Sequence, residues 1–245
     1  MLTIRADYCS EQGDREANED QAAILADGRI FLVADGMGGQ RGGGVASRIA
    51  AETVSDAGRA CLEYREEDAV FGELERIFSD ANERLMAAAR QDAALWGLGT
   101  TLTLGVISGG QLFFGHLGDS RLYTWRRGFC EQITEDHTRA REFVNQGLLS
   151  EEEAACSAQR NVLTRYLGTA SAVDPQLGRR QLQPGDRLLL CSDGLYNSLG
   201  SERIVGLLGG DMGPRELAEQ LVGEALEKGG ENLDNVTALM VMIEE

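Results

Sequence analysis

Four aspartates stand at the ends of apolar runs in this sequence. Phe31-Leu32-Val33-Ala34 leads into Asp35-Gly36, and Phe113-Phe114-Gly115-His116-Leu117-Gly118 leads into Asp119. Leu188-Leu189-Leu190-Cys191-Ser192 leads into Asp193-Gly194, and Asp234-Asn235 immediately precedes the apolar run 236–243. A packed strand is rigid, so a carboxylate at its end is held at a fixed depth near the core. One Asp-Gly after a strand is ordinarily a turn. Four become chemistry only if the strand ends converge. Converging carboxylates repel one another and raise each other's pKa. A divalent ion removes that penalty, and Mg²⁺ and Mn²⁺ favour carboxylate, carbonyl and water oxygens. Glycine after Asp35 and Asp193 permits close backbone approach, so a carbonyl can also serve as ligand. No cluster of cysteine and histidine offers a zinc site instead.

A second polar element lies near the N-terminus, GDREANED at 13–20. Arg15 presents a planar fork of donors that suits a phosphate group. A surface ion pair with Glu16 or Glu19 explains the same residue equally well from charge pattern alone. Cys191 adjoins one of the aspartates, but no CxxxxxR phosphate loop surrounds it, and it reads as a buried strand residue. His116 alternates with Phe114 in an apolar run and reads as a satisfied core imidazole.

The elements that must position these side chains follow from periodicity. Apolar runs at 21–25 and 30–34 are split by Asp27-Gly28, a hairpin signal. After the glycine-rich stretch 36–44 the period changes. Ala46, Ile49, Ala50, Thr53 and Ala57 share one helical face, and Val70, Leu74, Ile77, Ala81, Leu85 and Ala88 share another. Strand patterns return at 100–107, 111–117 and 121–125, with Gly109-Gly110 as the first turn. Residues 136–146 read as a helix stopped by Gly147, and Ser150 with Glu153 has the capping-box spacing. Strands are expected at 173–182, 187–191 and 236–243, and Gly213-Pro214 opens a helix carrying Leu217, Leu221 and Ala225 on one face. Hairpin signals outnumber strand–helix alternation. Two packed antiparallel sheets with helices on their outer faces fit this order, although the order alone does not impose it.

Composition narrows the function. The chain has 245 residues, 42% hydrophobic, with 3 prolines, which suits one folded domain. Its formal charge of −17 disfavours a nucleic-acid or anionic-membrane partner. No run approaches the roughly 18 apolar residues of a membrane span, and the N-terminus lacks an export pattern. The five cysteines form no CxxC pair, so a reducing cytoplasm is the simplest setting.

Seven segments together resemble one family. They are GDREANED at 13–20, VADGMGG at 33–39, GTT at 99–101, GDSR at 118–121, EDHT at 135–138, SDGL at 192–195 and DNVT at 234–237. In this order they resemble the type 2C metal-dependent serine/threonine protein phosphatases, in the compact bacterial form. The resemblance spans nearly the whole chain and implies a single catalytic domain over 1–245. It implies an α+β fold, a four-layer α-β-β-α sandwich of two central antiparallel sheets flanked by helices.

The resemblance also assigns roles. Asp35 resembles the carboxylate bridging two Mn²⁺ or Mg²⁺ ions, with Asp193 and Asp234 as further ligands of the first. Glu19, through water, and the Gly36 carbonyl resemble ligands of the second. Asp119, sharing Asp193, resembles the ligand of a third, weaker ion. Asp20 and Asn235 support the metal shell, and Arg15 grips the substrate phosphate. Phosphoserine and phosphothreonine would then be hydrolysed by direct attack of metal-activated water, without a phosphoenzyme. The implied partners are phosphorylated proteins, substrates of a cognate serine/threonine kinase.

The sequence departs from the pattern in places. Met37 stands where many eukaryotic members carry a histidine proposed as general acid, and a thioether cannot deliver a proton. Gln40 stands where many bacterial members have histidine. Residues 147–165 resemble the family's flap over the active site, yet Ala155-Cys156-Ser157-Ala158-Gln159 lacks the histidine often found there. His137, in EDHT, either contacts the site or braces the flap. The alternatives are an inactive phosphoprotein-binding sensor, which would need lost ligands where none is missing, or a hydrolase of small phosphoesters or nucleotides using the same metals.

Overall fold

The computed structural model describes residues 2–38, 42–64 and 66–245. Gly39 and Gln40, both singled out by the family pattern, lie outside the described residues.

One sheet contains β1 (Thr3–Glu11), β11 (Val236–Glu244), β10 (Arg187–Cys191), β7 (Arg121–Arg126) and β8 (Phe129–Gln132), in that spatial order. The other runs β2 (Asp20–Leu25), β3 (Ile30–Met37), β5 (Leu102–Ser108), β6 (Gln111–Leu117) and β9 (Gln176–Gln181), with the short β4 (Gly99–Thr100) paired to the end of β3. The strand pairings are antiparallel. Helices α1 (Gly42–Ala57) and α2 (Glu67–Gln91) cover the second sheet. Helices α5 (Asp193–Leu199), α6 (Ser201–Leu208) and α7 (Pro214–Lys228) cover the first. The short α3 (Arg139–Asn145) and α4 (Glu151–Ala155) lie between β8 and β9 in the chain.

The layering follows from side-chain alternation. In β3, Ile30, Leu32 and Ala34 face α1 and α2, while Phe31 and Val33 face the other sheet. In β10, Leu189 and Cys191 face the helices, while Leu188 and Leu190 turn inward. Strand β11 divides likewise, with Ala238 and Met240 on one side and Leu239, Val241 and Ile243 on the other. Both faces of these strands are buried, which explains why they read as continuous apolar runs. Each large side chain fully withdrawn from water, such as Phe31, contributes about 1.5–3 kcal/mol. The four-layer α-β-β-α arrangement is therefore three apolar layers between four layers of backbone. Among the described residues no helix is long and apolar enough to cross a membrane.

Several local expectations are corrected. Asp35 does not follow the strand but lies within β3, which continues to Met37. The run expected at 100–107 breaks at Thr101, whose backbone and side chain turn to Asp35. The helix expected from 136 begins at Arg139, because the Thr138 hydroxyl accepts the Arg141 N–H as an N-cap. The Ser150–Glu153 capping box forms as expected. Strands β1 and β8 and helices α5 and α6 were not foreseen. Strand β1 pairs along its length with β11, from Thr3↔Glu244 to Glu11↔Val236, a contact invisible to any local window.

Candidate active site

The hairpin of β2 and β3 sets Asp20 opposite Asp35. The Asp35 N–H donates to Thr101 Oγ1 at 2.8 Å, and the Asp35 carbonyl accepts from the Thr101 N–H and the Thr100 hydroxyl, both at 2.9 Å. Three hydrogen bonds thus fix the Asp35 backbone, leaving its carboxylate to the cleft.

Asn235 gathers the polar loop. Its Oδ1 accepts the Glu19 N–H at 2.8 Å, and its Nδ2 donates to the carbonyls of Gln12 and Ala17 at 2.8 and 3.0 Å. Glu19 Oε1 accepts the Gly44 N–H at 3.2 Å near the start of α1. Asp14 exchanges two bonds of 2.9 Å with the backbone of Leu233, which lays Arg15 beside Asp234. Asp193 opens α5, and its Oδ2 accepts from Asn197 Nδ2 at 3.2 Å. The expected close approaches are present: a Cβ on Gly36 would lie 2.1 Å from the Gly43 oxygen, and one on Gly194 would lie 2.2 Å from the Asn235 oxygen.

These elements enclose a cleft of about 610 Å³ lined by Arg15, Glu19, Asp35, Gly36, Asp119, Asp193, Asp234 and Asn235. Asp20 sits behind it, its Oδ2 accepting from the hydroxyls of Ser192 and Thr237, each at 2.6 Å. Arg15 pairs with Asp234 rather than with Glu16 or Glu19. Met37, Asn161 and Leu163 also line the cleft, whereas His116 and His137 do not. Sequence reasoning assigned no role to the hydroxyls of Thr101, Ser192 and Thr237. A signal was present for Ser192 and Thr237, since SDGL and DNVT each carry a site aspartate, but GTT carries none and Thr101 meets Asp35 only in the fold.

The electrostatics are those of crowded acids. Burial, then the neighbouring carboxylates Asp20, Asp193, Asp119 and Asp234, holds Asp35 well above the usual carboxylate range. Burial and then Asp193 do the same to Asp119. Burial pushes Asp193 up to about 7, with Asp234 and Asp20 adding to it. Asp20 is pushed up to about 6 by burial, against the opposing pull of its Ser192 and Thr237 donors.

Among the described residues no three or more His, Cys, Asp or Glu side chains meet as a ready-made metal cage. Arg15 occupies one oxygen of Asp234. The donor set nonetheless fits hard divalent ions. It is built from oxygens, and two buried ones, Asp20 Oδ1 and Asp193 Oδ1, have no hydrogen-bond partner among the described residues.

Comparison with known proteins agrees with this chemistry. The protein phosphatase 2C profile matches residues 10–226. The serine/threonine phosphatase stp of Listeria innocua is 32% identical over 242 residues, 97% of this chain and 95% of that protein. A crystal structure of the serine/threonine phosphatase PstP of Mycobacterium tuberculosis superimposes with a TM-score of 0.89 at 34% identity, covering 100% of both chains. The catalytic domain of PstP in complex with two manganese ions gives a TM-score of 0.88 at 33% identity, again over 100% of both. The chain belongs to the protein phosphatase 2C family.

Proposed function

We propose that this chain hydrolyses phosphoserine and phosphothreonine in other proteins, using Mn²⁺ or Mg²⁺, with the acidic cleft as its active site. The observation carrying this reading is the meeting of Arg15 with Glu19, Asp35, Asp119, Asp193 and Asp234 on one cleft. The names of the Listeria and Mycobacterium relatives, and the two manganese ions of PstP, support it.

Asp35 would bridge two ions, with Asp193 and Asp234 completing the first site. Glu19 and the Gly36 carbonyl would serve the second, and Asp119 with Asp193 a third, weaker one. Bound ions of this kind acidify water and offset phosphoryl charge. The chain's own residues do the rest. Arg15 turns its fork from Asp234 to the phosphoryl oxygens. Asp20 stays behind the cleft, oriented by Ser192 and Thr237. Asn235 keeps Glu19 and the 12–17 loop in register. Met37 lines the cleft without a transferable proton, and neither imidazole reaches it, so the leaving oxygen is not protonated by histidine.

Residues 147–165 would act as a flap within one catalytic domain spanning 1–245, and Asn161 and Leu163 from this segment line the cleft. The physiological substrates would be targets of a cognate serine/threonine kinase in the cytoplasm, a setting that five free thiols suit. Purified protein with Mn²⁺ should release phosphate from phosphoserine and phosphothreonine peptides, and EDTA should stop it. Silence across a screen of divalent metals would sink the reading. Higher kcat/KM on a nucleotide than on a phosphoprotein would move it to small phosphoesters.

A further inference from the structure

Gly118 and His137 hold each other by two hydrogen bonds. The His137 N–H donates to the Gly118 carbonyl at 2.7 Å, and the Gly118 N–H donates to His137 Nδ1 at 3.1 Å. Gly118 has a φ of +109°, and a Cβ there would lie 2.4 Å from Thr101 Cγ2. The chain therefore enters Asp119 through a corner that only glycine fits, and His137 closes that corner. A ring nitrogen that accepts carries no proton, so His137 is neutral with its proton on Nε2. Its ring stacks on His116, the centroids 4.9 Å apart and the planes 23° from parallel. His116 is itself held between the Thr103 hydroxyl at 2.9 Å and the Glu135 carbonyl at 3.2 Å.

The same residue reaches the 147–165 segment. The His137 carbonyl accepts the Thr164 N–H at 2.8 Å. Thr138 bridges Leu163, and the Arg139 N–H donates to the Val162 carbonyl at 2.8 Å. Leu163 and Asn161 line the cleft that Asp119 lines. One residue thus joins the corner before Asp119 to the returning end of the flap.

We propose that His137 is a positioning residue, whose Nδ1 acceptor and main chain lock the Gly118–Asp119 corner against residues 161–164. The carboxylate of Asp119 and the flap wall of the cleft then keep one relative geometry. This rests on the proposed function through the assignment of Asp119 to a divalent ion. The imidazole touches neither substrate nor ion, and its contribution is an acceptor at one point in space. Asparagine places Oδ1 where histidine has Nδ1, whereas glutamine places its oxygen one bond further out.

The test compares His137→Asn, His137→Gln and His137→Ala in the full chain. Three measurements are made: Mn²⁺ binding by calorimetry, tryptic cutting at Arg160 and Arg165 without metal, and steady-state turnover of a phosphopeptide. The Asn variant should stay within about threefold of wild type, while Gln and Ala lose about 10-fold or more in the weakest Mn²⁺ step, as loss of a residue behind a metal ligand does. In Gln and Ala, kcat should fall more than KM rises, and trypsin should cut faster. Equal losses in Asn and Gln would mean general loosening of the fold and overturn the proposal. Wild-type Mn²⁺ titration and cutting rate in the Ala variant would overturn it too. If wild type hydrolyses no phosphopeptide, the proposed function fails instead, and the Asn–Gln contrast in calorimetry and proteolysis still decides the role of His137.

Discussion

Arg15 Nη2 donates to Asp234 Oδ2 at 2.6 Å, joining residues 219 positions apart. The pair is open to water, with side chains 57% and 39% exposed, so it adds little to stability. Its value lies in placement, because Asp14 and Leu233 hold the two backbones side by side.

Arg15→Ala should therefore spare the fold and mainly raise KM for phosphopeptides. Charge-assisted hydrogen bonds of about 1.5–3 kcal/mol correspond to roughly 10- to 100-fold in KM. Arg15→Lys should recover only part, because a point charge cannot match the planar fork. A steady-state profile identical to wild type would remove Arg15 from the site.

Asp35→Asn should abolish turnover and weaken Mn²⁺ binding. It should also stabilise the metal-free protein at neutral pH, since it removes a carboxyl whose ionisation is opposed by burial and then by four neighbouring carboxylates. Calorimetry and urea unfolding in EDTA check the two halves separately. Unchanged Mn²⁺ affinity would exclude Asp35 as a ligand.

Metal binding should release protons. Asp20 and Asp193 have folded-state values of about 6 and about 7, above the ordinary 3.8. The folded, metal-free chain therefore retains protons that the unfolded chain has lost. The stability they contribute is present at low pH and fades as pH rises from about 4 through about 7. Ligation needs the ionised carboxylates, so Mn²⁺ affinity should fall as pH drops through the same range. Calorimetry in buffers of different ionisation heat should show proton release near about pH 6. No buffer dependence at that pH would mean that these acids are already ionised.

Gly194→Ala should disturb the site through the backbone. Its Cβ would meet the Asn235 oxygen at 2.2 Å, and main chain cannot swing aside. We expect a loss of about 1–3 kcal/mol in urea unfolding, as for an overpacked core. A weaker Mn²⁺ titration should accompany it, because Asn235 also holds Glu19. Gly206 in α6 has nothing within 4 Å of such a Cβ, so Gly206→Ala should be neutral or stabilising. Matching behaviour of the two variants would contradict the steric account.

Much of the fold was legible because its strands are buried on both faces. The runs 188–191 and 236–243 are apolar for that reason, and the Asp27-Gly28 turn and the Ser150–Glu153 box announce themselves locally. Strand β1 was not legible, since its partner β11 lies at the other end of the chain and its exposed positions, Thr3, Arg5, Tyr8 and Glu11, give no clean apolar–polar alternation. Helix α5 was hidden because its first residue, Asp193, reads equally well as a strand-end turn.

By itself the sequence determined which side chains have the chemistry: carboxylates and carbonyls for hard cations, one guanidinium for a phosphate, and no sulfur–nitrogen set for zinc. Only the tertiary structure decided that they meet. Asp20 faces Asp35 through a strand register, Arg15 reaches Asp234 through the Asp14–Leu233 exchange, and Asp193 enters from the far sheet. Those placements depend on long-range pairing and on the apolar layer between the sheets, whose energy belongs to no single segment.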